Sequence, residues 1–263
     1  MKTGRHMKAN YHTHTVRCHH AEGSEREYIE NAIKIGFETL GFSDHTPWPY
    51  PDGFRSRVRM GMDEIEEYVG TLLNLREEYK DRINILIGFE AEYSPKYLDG
   101  LMNALRSYPI DYLIMGPHFV PDEIEGFYTG AATNSIEKLV AYADSVVEGM
   151  KTGLFSYVAH PDLINFTGDE GIYKKQMSRI IETAVDMNIP LEVNMYGFVD
   201  GRHYPSDRFF KFAREFDPKF VIGCDAHKPG MIRQPESMPD FVDFLKRNRI
   251  EYGDNVISLR KLQ

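Results

Sequence analysis

The chain predicts an α/β fold with a parallel sheet, a distorted (β/α)7 barrel, and three observations lead there. Short apolar runs alternate with amphipathic helical stretches along the whole length, the pattern of parallel strands wrapped by helices. The 263 residues match the roughly 250 of a typical α/β barrel, and no Pro/Gly/Ser-rich linker or low-complexity block divides them. Most of the apolar runs end in histidine or a carboxylate. In a closed barrel such ends converge on one mouth, whereas an open, doubly wound sheet spreads them along an edge.

The first strand is predicted over residues 9–15, where His12 and His14, two apart, share one face. Residues 24–35 (SEREYIENAIKI) open with a capping-box pattern, Ser24 with Glu27, and carry Tyr28, Ile29, Ala32 and Ile33 at helical spacing. A run at 39–42 ends in Ser43-Asp44-His45, followed by a Pro-rich loop and a long amphipathic helix, 62–79. Residues 83–89 (INILIGF) are continuously apolar, as in strands buried on both faces, and end in Glu90-Ala91-Glu92 before a helix at 96–107. The run 111–115 ends in Gly116-Pro117-His118, and a helix at 136–151 follows a long loop. The run 154–158 ends in Ala159-His160-Pro161-Asp162 before a helix at 173–187; the run 190–193 ends in Asn194 before a helix at 207–216. The run 220–223 ends in Cys224-Asp225-Ala226-His227, and a helix at 239–247 and a short run at 255–259 complete the chain. Residues 1–8, with His6 and a second methionine, Met7, show no periodicity; they read as a structureless lead-in to a single domain over 9–263.

A hydrophobic share of 42% supports a sizeable core, and a formal net charge of -9 argues against a general nucleic-acid or membrane-surface binder. Cys18 and Cys224 are too few for a disulfide framework and lack C-x-x-C spacing, so both read as structural. No secretory leader pattern or long apolar span is visible, and the cytoplasm is the expected location.

Taken singly, a histidine after a strand is an ordinary loop residue, and a glutamate there an ordinary solvated one. Jointly, His12, His14, His45, Glu90, His118, His160, Asp225 and His227 all lie where a barrel would gather them. So many nitrogen and oxygen donors exceed what one tetrahedral zinc needs, so two or three divalent ions are expected. Mixed imidazole and carboxylate donors suit Zn, Mn or Fe alike. The alternative from another class is a non-catalytic, metal-binding regulatory module.

The ordered set His12-x-His14, Ser43-Asp44-His45, Gly88-Phe89-Glu90, Gly116-Pro117-His118, His160-Pro161-Asp162 and Asp225-Ala226-His227 resembles the PHP (polymerase and histidinol phosphatase) superfamily. It is most similar to the PHP-type histidinol-phosphatases, over residues 10–228. The resemblance implies a trinuclear centre at the mouth of a distorted barrel. His12, His14, Glu90 and Asp225 would hold one metal and His20, His45 and His227 a second; Glu90 would bridge to a third, completed by His118 and His160. His20 is preferred to the adjacent His19 because the corresponding ligand in related proteins falls eight residues after the first histidine.

Closely spaced metals activate water and neutralise phosphoryl oxygens, so the expected reaction is attack of a metal-bridging hydroxide on the phosphorus of a phosphomonoester. Asp225 is expected to orient the nucleophile and His45 or His203 to protonate the leaving group. Arg202, in the loop YGFVDGRHYPSD, is the predicted phosphate clamp, with Arg17 a second candidate and Arg233 a weaker one. Some relatives carry a phosphate-binding arginine just after the fifth-strand histidine, where this chain has Leu163-Ile164-Asn165-Phe166. Glu92 or Glu123 is expected to meet a substrate ammonium; Glu192 and Asn194 point into the mouth or the barrel interior, and Trp48-Pro49-Tyr50 forms a wall. The small phosphorylated substrate expected first is L-histidinol phosphate, of L-histidine biosynthesis. Another phosphomonoester, a nucleotide or a phosphotyrosine is the alternative within the class. Long loops at 46–61 and 119–134 favour an enclosed mouth.

Overall fold

The computed structural model describes residues 6–262. In chain order, β1 (Ala9–Asn10) leads to α1 (Glu25–Lys34), β2 (Thr39–His45) to α2 (Ile65–Tyr79) and β3 (Asn84–Ala91) to α3 (Pro95–Leu105). β4 (Tyr112–Met115) leads through a hairpin, β5 (Phe119–Val120) and β6 (Phe127–Tyr128), to α4 (Ile136–Lys151). Then β7 (Phe155–Val158) leads to α5 (Glu170–Asp186), β8 (Leu191–Asn194) to α6 (Met195–Val199) and α7 (Asp207–Ala213), and β9 (Phe220–Gly223) to α8 (Pro239–Arg247). Outside the hairpin, seven strands form one sheet in the order β1-β2-β3-β4-β7-β8-β9, every pairing parallel.

The helices form where propensity and pattern agree. Ser24 and Glu27 cap α1 reciprocally, and α4 begins on the Ser135 side chain, which accepts from the Lys138 N–H. Their apolar faces cover the outside of the sheet, with Tyr28, Leu72, Leu101, Tyr142, Ile180 and Phe244 all buried in one cluster. A second cluster, Ala9, Tyr11, Tyr112, Ile114, Tyr157, Ala159 and Val221, fills the barrel interior. Residues 255–259 do not add a strand. They cross the end of the barrel opposite the mouth, where Ile257 and Leu259 pack on the interior cluster.

The seam between β1 and β9 is stitched largely by side chains. Among the described residues, one bridge, Thr13 to Ala226, joins the two edges, where the His14 N–H donates to the Ala226 carbonyl at 2.9 Å. Asn10 Oδ1 accepts the Cys224 N–H at 2.9 Å. Asn255 Nδ2 donates to the carbonyls of Ala9, at 2.9 Å, and Ile222, at 2.7 Å, while its Oδ1 accepts the Ile222 N–H at 2.8 Å. The ladder of β1 therefore stops at Asn10, short of the predicted Thr15, because an asparagine side chain takes the hydrogen bonds that a continuing strand would make.

Two short features escape the sequence pattern. The strands of the β5–β6 hairpin are too short to show alternation, and α6 is a single turn capped by the Asn194 side chain. The lead-in reading needs correction. Met1 to Arg5 lie outside the described residues, but Met7 is buried and its N–H and carbonyl pair with the Gln234 amide, each at 2.9 Å.

Removing the seam amide should be costly. Asn255→Ala strands buried backbone groups of Ala9 and Ile222, and a loss of about 3 kcal/mol in unfolding free energy is expected from urea denaturation. A loss below about 1 kcal/mol would show that the seam does not depend on this side chain.

Candidate metal centre

The strand ends place the histidines and carboxylates around Glu90, at the end of β3. Its Oε2 faces His12 Nε2 at 3.4 Å, His14 Nε2 at 3.5 Å and His45 Nδ1 at 3.1 Å. Its Oε1 faces His160 Nε2 at 2.8 Å and His118 Nε2 at 3.4 Å. Asp225 Oδ1 lies 3.1 Å from His14 Nε2 and 3.5 Å from His12 Nε2. On the far side of His14, His20 Nε2 and His227 Nε2 come within 3.0 Å of each other. All nine predicted ligands are thus brought together.

The donor set fits divalent cations. Among the described residues, buried His12 Nε2, His14 Nε2, His45 Nδ1 and Glu90 Oε2 have no hydrogen-bond partner, a costly state for polar atoms unless a cation takes their lone pairs. His12, His14 and Glu90 offer one donor atom each within 4.8 Å of one another; so do His12, His160 and Asp225, and likewise His14, His45 and His227. Burial by itself raises the Glu90 carboxyl, but the imidazoles, His118 and His12 foremost, outweigh it and hold it well below the usual carboxylate range. Asp225 behaves alike, through His12 and His14. Burial first, and then the neighbouring His14, push His45 and His227 well below the ordinary imidazole value, whereas the surrounding carboxylates outweigh burial and raise His12 and His14, the positive charge that a bound cation would replace.

Three further side chains, none predicted in this role, orient the histidines and Asp225. Glu192 Oε1 takes His12 Nδ1 at 2.7 Å, and its Oε2 accepts the His160 N–H at 2.9 Å. It stands where β7 and β8 share a single paired position, so the carboxylate replaces missing ladder bonds. Asn194 Nδ2 donates to Glu192 Oε2 at 2.9 Å and to Asp225 Oδ2 at 3.0 Å. Asp44 accepts from the Thr15 N–H at 3.1 Å and lies 3.5 Å from His14 Nδ1. Glycines make room for the buried acids: a Cβ at Gly116 would overlap the Glu90 carboxylate, and one at Gly223 that of Glu192. His160 and Asp225 hold φ of 30° and 48°, in the left-handed region, the kind of local strain that clusters at functional sites.

The cage opens into a cavity of about 300 Å³ lined by His20, His45, His118, His160, Asp225 and His227, with Val58, Arg59, Phe119, Tyr128, Tyr196, Arg202 and Tyr204 around them. Arg202 reaches it as predicted: Nη2 donates to the Tyr196 hydroxyl at 2.9 Å, Nε to Asp200 at 2.9 Å, and the guanidinium lies over the Tyr196 ring at 4.5 Å. A larger cleft, about 980 Å³, opens between residues such as Lys219, Arg249 and Ile257, and no histidine lines it.

Other predicted contacts fall elsewhere. Arg17 is not at the mouth: its donors go to Glu67, at 2.7 and 2.9 Å, to Glu25 and to Thr15, and its guanidinium stacks on Tyr68. His203 is turned away from the cavity, with Nε2 2.7 Å from the Leu163 carbonyl. Asn194 is fully buried beneath Asp225 rather than facing substrate. Glu92 and Glu123 are both committed to Arg59, at 2.8 and 2.9 Å, so neither is free to meet an ammonium. Arg233 is bound to the Gly230 carbonyl at 2.8 Å. His19, at φ 65° and exposed, lines a separate cavity beside Trp48 and Tyr50. Trp48 is buried and donates to Glu92 at 3.1 Å, so this segment supports the wall from behind.

Seven parallel strands closed around a mouth of imidazoles and carboxylates define a β/α-barrel metal-dependent hydrolase. The sequence pattern of the PHP domain matches residues 10–196, and the chain belongs to that family. It is similar to a probable histidinol-phosphatase of Deinococcus radiodurans, 27% identical over 228 residues, covering 84% of this chain and 86% of the relative. It is similar also to the histidinol-phosphatase of Bacillus subtilis, 24% identical, covering 85% of this chain and 95% of that one. Among solved structures, histidinol phosphate phosphatase of Lactococcus lactis, crystallised with zinc, L-histidinol and phosphate, superposes with a TM-score of 0.69 at 20% identity. That match covers 95% of this chain and 98% of the other. No helix among the described residues is long and apolar enough to cross a membrane.

Two outcomes follow from the cage. Stripping metal with a chelator should lower the melting temperature and re-addition of zinc restore it, because ions bound only by the folded state contribute roughly 4 kcal/mol at a thousandfold excess over Kd; an unchanged melt would mean that the cage holds no ion. Glu192→Gln, which keeps the shape but loses the charge behind His12, should weaken zinc binding about 10- to 100-fold in a competition titration.

Proposed function

We propose that this chain is a histidinol-phosphatase, hydrolysing L-histidinol phosphate to L-histidinol and phosphate with three divalent ions. The observation that carries this reading is the division of Glu90, whose Oε2 faces His12, His14 and His45 while its Oε1 faces His118 and His160. A carboxylate used from both sides suits two cation positions, and the His20–His227 pair supplies another on the far side of His14. In this reading His12, His14, Glu90 and Asp225 would hold one ion, His20, His45 and His227 a second, and Glu90, His118 and His160 a third. The names of the relatives support the substrate, and the zinc in the L. lactis crystal structure supports zinc.

Divalent ions held there would make water nucleophilic at neutral pH and offset charge on the phosphoryl oxygens. The chain's own groups do the rest. Asp225, fixed by Asn194 through Oδ2, keeps Oδ1 toward the His12 and His14 nitrogens and orients the attacking water. Arg202, held over Tyr196 and anchored on Asp200, presents a preformed fork to the phosphate. Val58, Phe119 and Tyr128 line the cavity and exclude water from around the leaving group.

A phosphatase screen of metal-loaded protein tests the substrate. Histidinol phosphate should exceed p-nitrophenyl phosphate, a nucleoside monophosphate and phosphotyrosine in kcat/KM by about tenfold or more; a higher value for any of the three would sink the assignment. Arg202→Ala should lower kcat/KM by roughly 10- to 100-fold, the size of a charge-assisted contact, with Arg202→Lys intermediate because it lacks the planar fork.

A further inference from the structure

The two long connections that wall the mouth, residues 46–61 and 119–134, are joined by a buried ion cluster. Arg59, in the first, is 2% exposed. Its Nη2 donates to Glu92 Oε1 at 2.8 Å and its Nη1 to Glu92 Oε2 at 3.0 Å. Nε donates to Glu123 Oε2, in the second connection, at 2.9 Å, and Nη1 also reaches the Thr46 carbonyl at 3.1 Å. The Ser56 hydroxyl adds a bond to Glu123 at 2.8 Å. Four of the five N–H donors of Arg59 are thus taken. Although it lines the cavity, it has little left to give a phosphate.

Glu92 connects this cluster to the cage. It follows Glu90 by two residues and shares its side of the chain, and its Oε1 lies 3.5 Å from His118 Nδ1. His118 Nε2 faces Glu90 Oε1 at 3.4 Å. A carboxylate behind a histidine fixes the tautomer and ring angle that the front nitrogen needs for ligation. Burying Glu92 without a cation would be prohibitive, and Arg59 supplies it.

We propose that Arg59 is a positioning residue that acts through Glu92: the pair holds the His118 imidazole with Nδ1 toward Glu92 and Nε2 toward Glu90. Because Arg59 also holds Glu123, that alignment requires both connections to be docked. His118 is therefore a ligand whose readiness reports closure of the walls.

The test uses the full chain, with zinc titrated against a chelator and amide hydrogen exchange read by peptide. Glu92→Gln should weaken one zinc equivalent about 10- to 100-fold and leave the others as in the parent. Arg59→Met should weaken that same equivalent and speed exchange in both 46–61 and 119–134; Arg59→Lys should be intermediate, since an ammonium cannot span both glutamates. With histidinol phosphate, or whichever phosphomonoester proves best, kcat should fall while KM moves less than about threefold. If KM rises with zinc binding unchanged, Arg59 is a substrate contact and the proposal fails. It fails equally if exchange rises only in 46–61 and every zinc equivalent binds as before. Should Arg59→Met not fold, Glu92→Gln, which keeps the size and one acceptor oxygen, decides the matter. Metal binding and exchange do not depend on substrate identity, so these outcomes are separable from failure of the substrate assignment.

Discussion

The structure depends on one electrostatic constraint, the burial of Glu90 among imidazoles. A carboxylate without water is expensive, and here it is 1% exposed. Five imidazole nitrogens within 3.5 Å share its two oxygens, and their side chains come from four different strand-to-helix connections. The fold cannot relax one of them without exposing another unpaired donor. This is why polar groups that hold these side chains are also buried: Glu192, Asn194 and Asp44 are all fully enclosed.

The barrel is closed under the same demand. Backbone ladders are continuous where β2 meets β3, but they thin at β7–β8 and at the seam between β1 and β9. At both places a polar side chain takes over, Glu192 in the first and Asn10 and Asn255 in the second. Gaps in the ladder let carboxylates and amides enter the interior with their hydrogen bonds satisfied. The distortion of the barrel and the polarity of its mouth are thus one phenomenon.

The walls of the mouth show how charge is allotted around such a centre. The cavity is lined by two arginines, which play different parts. Arg202 is held by the hydroxyls of Tyr196 and Tyr204 and one exposed aspartate, whereas Arg59 is enclosed by two glutamates. The acids beside the cavity, Glu92 and Glu123, are paired with Arg59, whereas Glu90 and Asp225 face the imidazoles. The apolar part of the cavity lining comes from Val58, Phe119 and the ring of Tyr128.

The alternation of apolar runs and amphipathic helices, with histidines and acids at the run ends, was enough to foresee a parallel barrel and eight side chains gathered at its mouth, Glu90 among them; His20 entered only through the family resemblance. Those signals are local, because strand periodicity and a polar residue at a strand end follow from short stretches of chain. The roles of Arg17, Glu92, Asn194 and His203 were not legible, nor was the part played by Arg59. A charged side chain looks the same in sequence whether it meets a substrate or a buried partner. Arg17 and Glu67 are fifty residues apart, and Arg59 and Glu123 sixty-four. Only the tertiary structure decides which donors are already satisfied, because hydrogen bonds and desolvation are settled between neighbours in space.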